Sequence, residues 1–223
     1  MKQEVIAIDG PAASGKSTVA KEVAQRIGAV YADSGALYRL VTWWLLAQGI
    51  DPEDHQAVRG ALEKLKIDAA VVEGRITYST GDECPADALR TQRVNSAVSP
   101  VAANADVRHV VTAILQSLAR FGMLVMEGRD IGTVVFPDAA FKFYLDASPE
   151  VRARRRFTDK DGNVDKAALE DVHKSLARRD VIDSSRKTAP LRIADDAAVI
   201  DTSDLDIEGV VKRILDTVAS DIC

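Results

Sequence analysis

Short apolar runs along this chain alternate with longer stretches whose apolar positions recur every three or four residues. Residues 5–8, Val-Ile-Ala-Ile, have the length and branching of a buried strand. After a glycine-rich interval, Val19, Val23, Ala24 and Ile27 mark one face of a helix that Gly28 closes. The order repeats with a strand over 29–32 and a helix through Leu37, Leu40, Val41, Trp44 and Leu45, where Trp43 and Trp44 read as packing residues. Asp51 and Pro52 supply a cap and a first-turn proline for a helix reaching about Lys66. Over 69–79 the period shortens to two around Glu73-Gly74, as in a β-hairpin, and the segment as far as Arg90 is suited to gripping a ligand. Residues 91–121 return to helix, with an interruption expected at Pro100. The continuous apolar run at 123–126 reads as a central parallel strand, and 141–145 and 197–201 read as a fourth and a fifth strand. Helices follow at 149–157, from about Asp165, and from Ile207 to about Ala219. The expected fold class is α/β, a parallel sheet of about five strands flanked by helices on both faces.

With 223 residues and 47% hydrophobic composition the chain suits one domain over 1–223, with an inserted subdomain at about 60–98 and a lid at about 152–166. A formal charge of -5 speaks against a surface built to wrap nucleic acid. Cys84 and Cys223 lie far apart without C-x-x-C spacing, so neither a disulfide framework nor a zinc site is indicated, and a reducing compartment is expected. The longest nearly apolar run, residues 40–47, falls short of the roughly 18 residues that span a bilayer. A soluble, cytoplasmic protein that makes no use of membrane or nucleic acid is therefore expected.

The interval between the first strand and the first helix is Gly10-Pro11-Ala12-Ala13-Ser14-Gly15-Lys16-Ser17-Thr18, which fits G-x-x-x-x-G-K-[ST]. Its glycines let the backbone curl around a phosphate, and the amides at the helix start point at the anion. Lys16 would reach the β and γ phosphates, and Ser17 would offer a hydroxyl to Mg²⁺. The strand at 123–126 delivers Glu127, Gly128, Arg129 and Asp130 at its carboxyl end, where parallel sheets bind ligands; the acids suit Mg²⁺ or water and the arginine an anion. Arg39 follows Ser34 by just over one helical turn in the same region. Arg152, Arg154, Arg155 and Arg156 crowd one helix ahead of a polar break at 158–163, and Arg179, Asp183 and Arg186 share a face at spacings of four and three. Solvated surfaces and ion-pair ladders use the same residue types. His55, His109 and His173 are scattered, which leaves no nucleophile and base pair. Transfer to an acceptor phosphate requires none, because that group is already largely ionised at neutral pH; it requires charge neutralisation, alignment and exclusion of water. The chain lacks the N-K-x-D motif of a GTPase switch, and its acidity disfavours a nucleotide-gated module docking on RNA.

Residues 10–18, Asp33-Ser34-Gly35-Ala36-Leu37-Tyr38-Arg39, Arg90-Thr91, residues 128–139, and the stretch from Arg179-Asp180 to Ala189-Pro190-Leu191 together resemble the bacterial cytidylate kinases, over nearly the whole chain. The resemblance implies a P-loop NTPase core with a monophosphate-binding insert, at about Leu65 to Arg90, and a short lid. It also implies transfer of the γ-phosphoryl group of ATP to CMP or dCMP with Mg²⁺, by a chain expected to be a monomer. Ser34, Arg39, Arg129 and Arg186 would hold the acceptor phosphate. Ser99, Arg108 and Asp130 would read the cytosine edge, and Arg179 with Asp183 would meet the sugar. By the same resemblance Lys16, Arg129, Arg186 and, from the lid, Arg154 would take the catalytic roles, although the lid sequence diverges from the family and does not separate Arg154 from its neighbours. Arg93 and Ala13 also depart, standing where relatives often carry an acid and a glycine.

Overall fold

The computed structural model describes residues 3–158 and 166–220; the centre of the expected lid, 159–165, and Cys223 lie outside the described residues. A seven-stranded sheet runs through the molecule in the order β3-β4-β2-β5-β1-β6-β7. Its strands are β1 (Gln3–Asp9), β2 (Val30–Asp33), β3 (Asp68–Val72), β4 (Arg75–Ser79), β5 (Leu124–Gly128), β6 (Ala139–Asp146) and β7 (Ala198–Asp201). All neighbours are parallel except the β3/β4 hairpin. Strand β1 lies between β5 and β6, so its carboxyl end opens at the middle of the sheet.

Alternation along β1 explains why its sequence is apolar without a break. Val5 and Ala7 join one core with α2 (Ser34–Ala47), α4 (Gln92–Ala103) and α5 (Ala105–Ser117) through Leu37, Leu40, Val98, Val101, Val107 and Val111. Ile6 and Ile8 join the opposite core with α1 (Lys16–Ile27) and α8 (Ile207–Ser220) through Val19, Val23, Val211 and Ile214. Strand β5 divides in the same way, with Leu124 and Met126 on the first face and Val125 on the second. A strand covered on both sides has no polar face to show.

Three expectations change. Two strands join the expected five because the hairpin extends the sheet: the Tyr31 amide donates to the Gly74 carbonyl at 2.9 Å, and Ile76 and Tyr78 turn into the first core. The helix expected from Asp51 begins three residues later as α3 (His55–Leu62), where the Asp54 side chain accepts from the Ala57 amide at 2.9 Å. The long helix breaks at Asn104 instead of Pro100; α4 continues past the proline, and the buried Asn104 side chain caps α5 by accepting from Asp106 and Val107. A side chain that satisfies two amides fixes a helix start more firmly than a proline near a helix end fixes a stop.

Candidate active site

The loop after β1 is held in shape by steric limits as much as by hydrogen bonds. Gly10 has φ 146°, and a Cβ there would stand 2.1 Å from the Leu145 carbonyl oxygen of β6. Ala13 takes the left-handed conformation at φ 61°, and Gly15 follows at φ 93° as the cap of α1. Lys16 is buried and donates to the Pro11 carbonyl at 2.6 Å and to Ser14 Oγ at 3.3 Å, so its ammonium lies folded over the loop. Burial, reinforced by the charge of Arg129, holds it below the ordinary lysine range. Across from it Glu127, at the end of β5, accepts from the Tyr31 hydroxyl at 2.5 Å and has the Ser17 hydroxyl beside it. Burial raises the Glu127 carboxyl, and Asp33, paired with it across β2 and β5, raises it further.

A cavity of about 700 Å³ extends from this loop to a basin of arginines. Asp183, on α7 (Lys166–Ser185), stands at the centre of the basin. Its carboxylate accepts from Arg129 Nε at 2.9 Å and lies 4.0 Å from Arg179 Nε and 3.9 Å from Arg186 Nη1. One carboxylate does not balance three guanidiniums. Burial, then the charge of Arg129, pushes Arg179 down to about 10, and burial also lowers Arg39 and Arg186. Arg39 Nε, Arg179 Nε, Arg186 Nη2 and the Tyr38 hydroxyl are buried without a hydrogen-bond partner among the described residues. Buried donors are rarely left unsatisfied, so the basin is shaped for an anion with several acceptor oxygens.

At its far side Asp130 is buried in an ion pair with Arg108, whose Nη1 also donates to the Ala102 carbonyl at 3.1 Å. Burial raises the Asp130 carboxyl, and the charge of Arg108 opposes the rise. Ser34 Oγ donates to the Glu127 carbonyl at 2.7 Å, which ties the start of α2 to the end of β5.

Ala12, Ala13, Ser14, Gly15, Lys16, Ser17 and Thr18 line the cavity, while Gly10 and Pro11 stand behind it. Ser34, Arg39, Ser99, Arg129, Asp130, Arg179, Asp183 and Arg186 also line it, and Arg108 acts from behind Asp130. The lid arginine requires a correction. Arg154 is exposed and away from the cavity, whereas Arg155 and Arg156 line it. On α6 (Pro149–Thr158) these two share a face with Arg152 at spacings of three and four, and Arg154 falls off that face. Arg152 donates to the Ala12 carbonyl at 3.3 Å and to Asp180 at 2.6 Å; Arg155 donates to Thr202 and, at 3.4 Å, to the Ser14 carbonyl. Arg156 bears electrostatically on Arg39 and Arg179. The helical spacing from Arg152 was the available signal. Tyr31 carried none, since its partner Glu127 lies on a strand distant in sequence.

A lysine-bearing loop at the centre of a parallel sheet, sharing one cavity with unsatisfied guanidiniums, defines a P-loop kinase with an anionic acceptor. The family model described as cytidylate kinase matches residues 6–220. A cytidylate kinase of Geobacillus kaustophilus is 46% identical over 220 residues, covering 98% of each chain. One from Shouchella clausii is 46% identical over 215 residues, covering 96% of this chain and 95% of its own. Among solved structures, an uncharacterized protein from Eubacterium ventriosum shares the fold at a TM-score of 0.51 and 15% identity, covering 98% of this chain and 99% of its own. The chain belongs to the cytidylate kinase family.

Proposed function

We propose that this protein transfers the γ-phosphoryl group of ATP to CMP or dCMP, giving ADP and the pyrimidine nucleoside diphosphate. The observation that carries the reading is the buried arginine basin with its unpartnered donors, open to the same cavity as Lys16. An acceptor phosphate would take hydrogen bonds from Arg39, Arg129 and Arg186, with Ser34 at its side. That group needs no base, being itself largely ionised. One of its oxygens attacks the γ phosphorus, and the bond from that phosphorus to the bridging oxygen of ADP breaks. Lys16 offsets charge on the donor, and Arg156 is the lid arginine directed toward the transferred group. Arg155 ties α6 to the Ser14 carbonyl of the loop and to Thr202.

Base selection rests on Asp130. Its carboxylate can accept from the exocyclic amine of cytosine, while uracil would set a carbonyl against it, and a site left with unpaired buried polar groups discriminates strongly. Ser99 and Arg108 complete that reading, and Arg179 with Asp183 faces the sugar. The Ser17 hydroxyl and the Glu127 carboxylate are hard oxygen donors that fit Mg²⁺. Bound there, the ion would neutralise charge on the donor phosphates. Donor loop and arginine basin line one cavity of one chain, which supports a monomer as the working unit.

The test is ADP release from ATP and Mg²⁺ with CMP, dCMP, UMP, AMP, GMP or no acceptor. Release is expected to depend on CMP or dCMP. Release indifferent to every acceptor would make the protein an ATPase and the arginine basin a docking surface.

A further inference from the structure

Asp9 ends β1, one residue ahead of the phosphate loop, and its carboxylate is buried. Both oxygens are engaged: Oδ1 accepts from the Ile131 amide at 2.9 Å and Oδ2 from the Gly132 amide at 2.8 Å. Those amides open a single π-helical turn, Ile131–Val135, that begins directly after Asp130. The Asp130 carbonyl accepts in turn from Val134 at 2.9 Å and Val135 at 3.1 Å, so the turn is hydrogen-bonded to the residue before it. Space for this contact is built in on both sides. A Cβ on Gly132 would press against the Lys142 side chain at 3.1 Å, and one on Gly128 would collide with Ser34 Oγ at 2.6 Å.

A carboxylate in this position is costly. Desolvation pushes Asp9 up to about 6 even though two amides and the Lys16 charge oppose the shift. Packing alone would be served as well by an apolar residue, which carries no desolvation penalty. What an apolar residue cannot do is hold two successive amides of a separate segment at fixed distance from the first glycine of the loop.

We propose that Asp9 is a positioning residue for the acceptor: through the Ile131 and Gly132 amides it fixes Arg129 and Asp130 relative to the phosphate loop. The inference rests on the reading of Arg129 and Asp130 as acceptor contacts. Donor and acceptor alignment is then set by one side chain that touches neither nucleotide.

The experiment compares the full chain with Asp9→Asn, which keeps the shape but turns an amide donor toward a backbone amide. The KM for CMP is expected to rise by about tenfold or more, the scale of one lost charge-assisted hydrogen bond, while the KM for ATP stays near its wild-type value. Hydrogen exchange at the Ile131 and Gly132 amides should accelerate in the variant. A variant with a lower melting temperature but both KM values unmoved, or raised together, would reduce Asp9 to a structural role and overturn the proposal. Should the variant fail to fold, the wild type still decides: without nucleotide, both amides must already be protected, and rapid exchange there would sink the idea. If the wild type shows no CMP-dependent ADP release, it is the reading of the acceptor that fails. The exchange data, and the KM comparison repeated with whichever monophosphate is accepted, still decide the role of Asp9.

Discussion

A Cβ built on Gly10 would lie 2.1 Å from the Leu145 carbonyl oxygen, whereas one on Gly15 would meet nothing nearer than Arg155 Nη1 at 3.8 Å. The two glycines satisfy the same motif for different reasons. Gly10 lets β1 and β6 approach; Gly15 supplies a positive φ at the helix cap. Gly10→Ala is therefore expected to destabilise the protein by about 3 kcal/mol or more, as backbone must shift. Gly15→Ala should cost only the conformational penalty of about 1–2 kcal/mol. Urea denaturation of both variants checks the order, and equal losses would contradict the steric account. The motif announced that glycines belong here but not what each one touches, because Leu145 lies far along the chain. The same limit explains the lid. A cluster of arginines is visible in the sequence, but which of them turns inward depends on the helix phase that α7 and the loop impose.

Elements were most legible where their own residue pattern carries the signal, whatever the distance to their partners. The runs at 5–8 and 124–126 read as strands because burial on both faces removes any polar alternation, whereas 141–145 keeps an alternation, with Phe143 and Leu145 buried and Lys142 and Tyr144 half-buried between and beside them. The hairpin was visible from its period of two, yet its place at the sheet edge was not, since the contact from Tyr31 to Gly74 joins residues far apart in the chain across a stretch of unrelated pattern. Pro100 misled because proline is a strong local signal and the cap at Asn104 is a quieter one. Asn104 also contacts His55 Nδ1 through its Nδ2 at 2.8 Å, which joins the start of α5 to that of α3. Asn104→Ala should lower stability by about 1–2 kcal/mol. For a chain of this size that corresponds to a fall in melting temperature of about 2–8 °C. An unchanged melt would show that water replaces the cap without loss.

For the molecule as a whole, the middle of the sheet gathers the donor loop, the acids of β2 and β5 and the arginines of α2 and α7 at one end. The sequence pattern made that convergence predictable in outline, since parallel strands bring their carboxyl ends together. It left Asp183 as one rung of a ladder, when three arginines meet there from two separate segments. Unpartnered buried donors imply that simple oxyanions stabilise the folded chain. Sulfate or inorganic phosphate at constant ionic strength should raise the melting temperature above that in chloride, by an amount that grows with concentration as expected for binding to the native state. The gain should shrink in Arg39→Ala, and identical melts in all three salts would argue against an anion basin.

Guanidiniums gathered around a single carboxylate give the cavity a surplus of positive charge inside an acidic molecule. Most proteins complete their interiors with their own residues. On the proposed reading, the balancing charge of this one would come from its substrate, so the folded chain would gain an internal counterion with each binding event and lose it with each release.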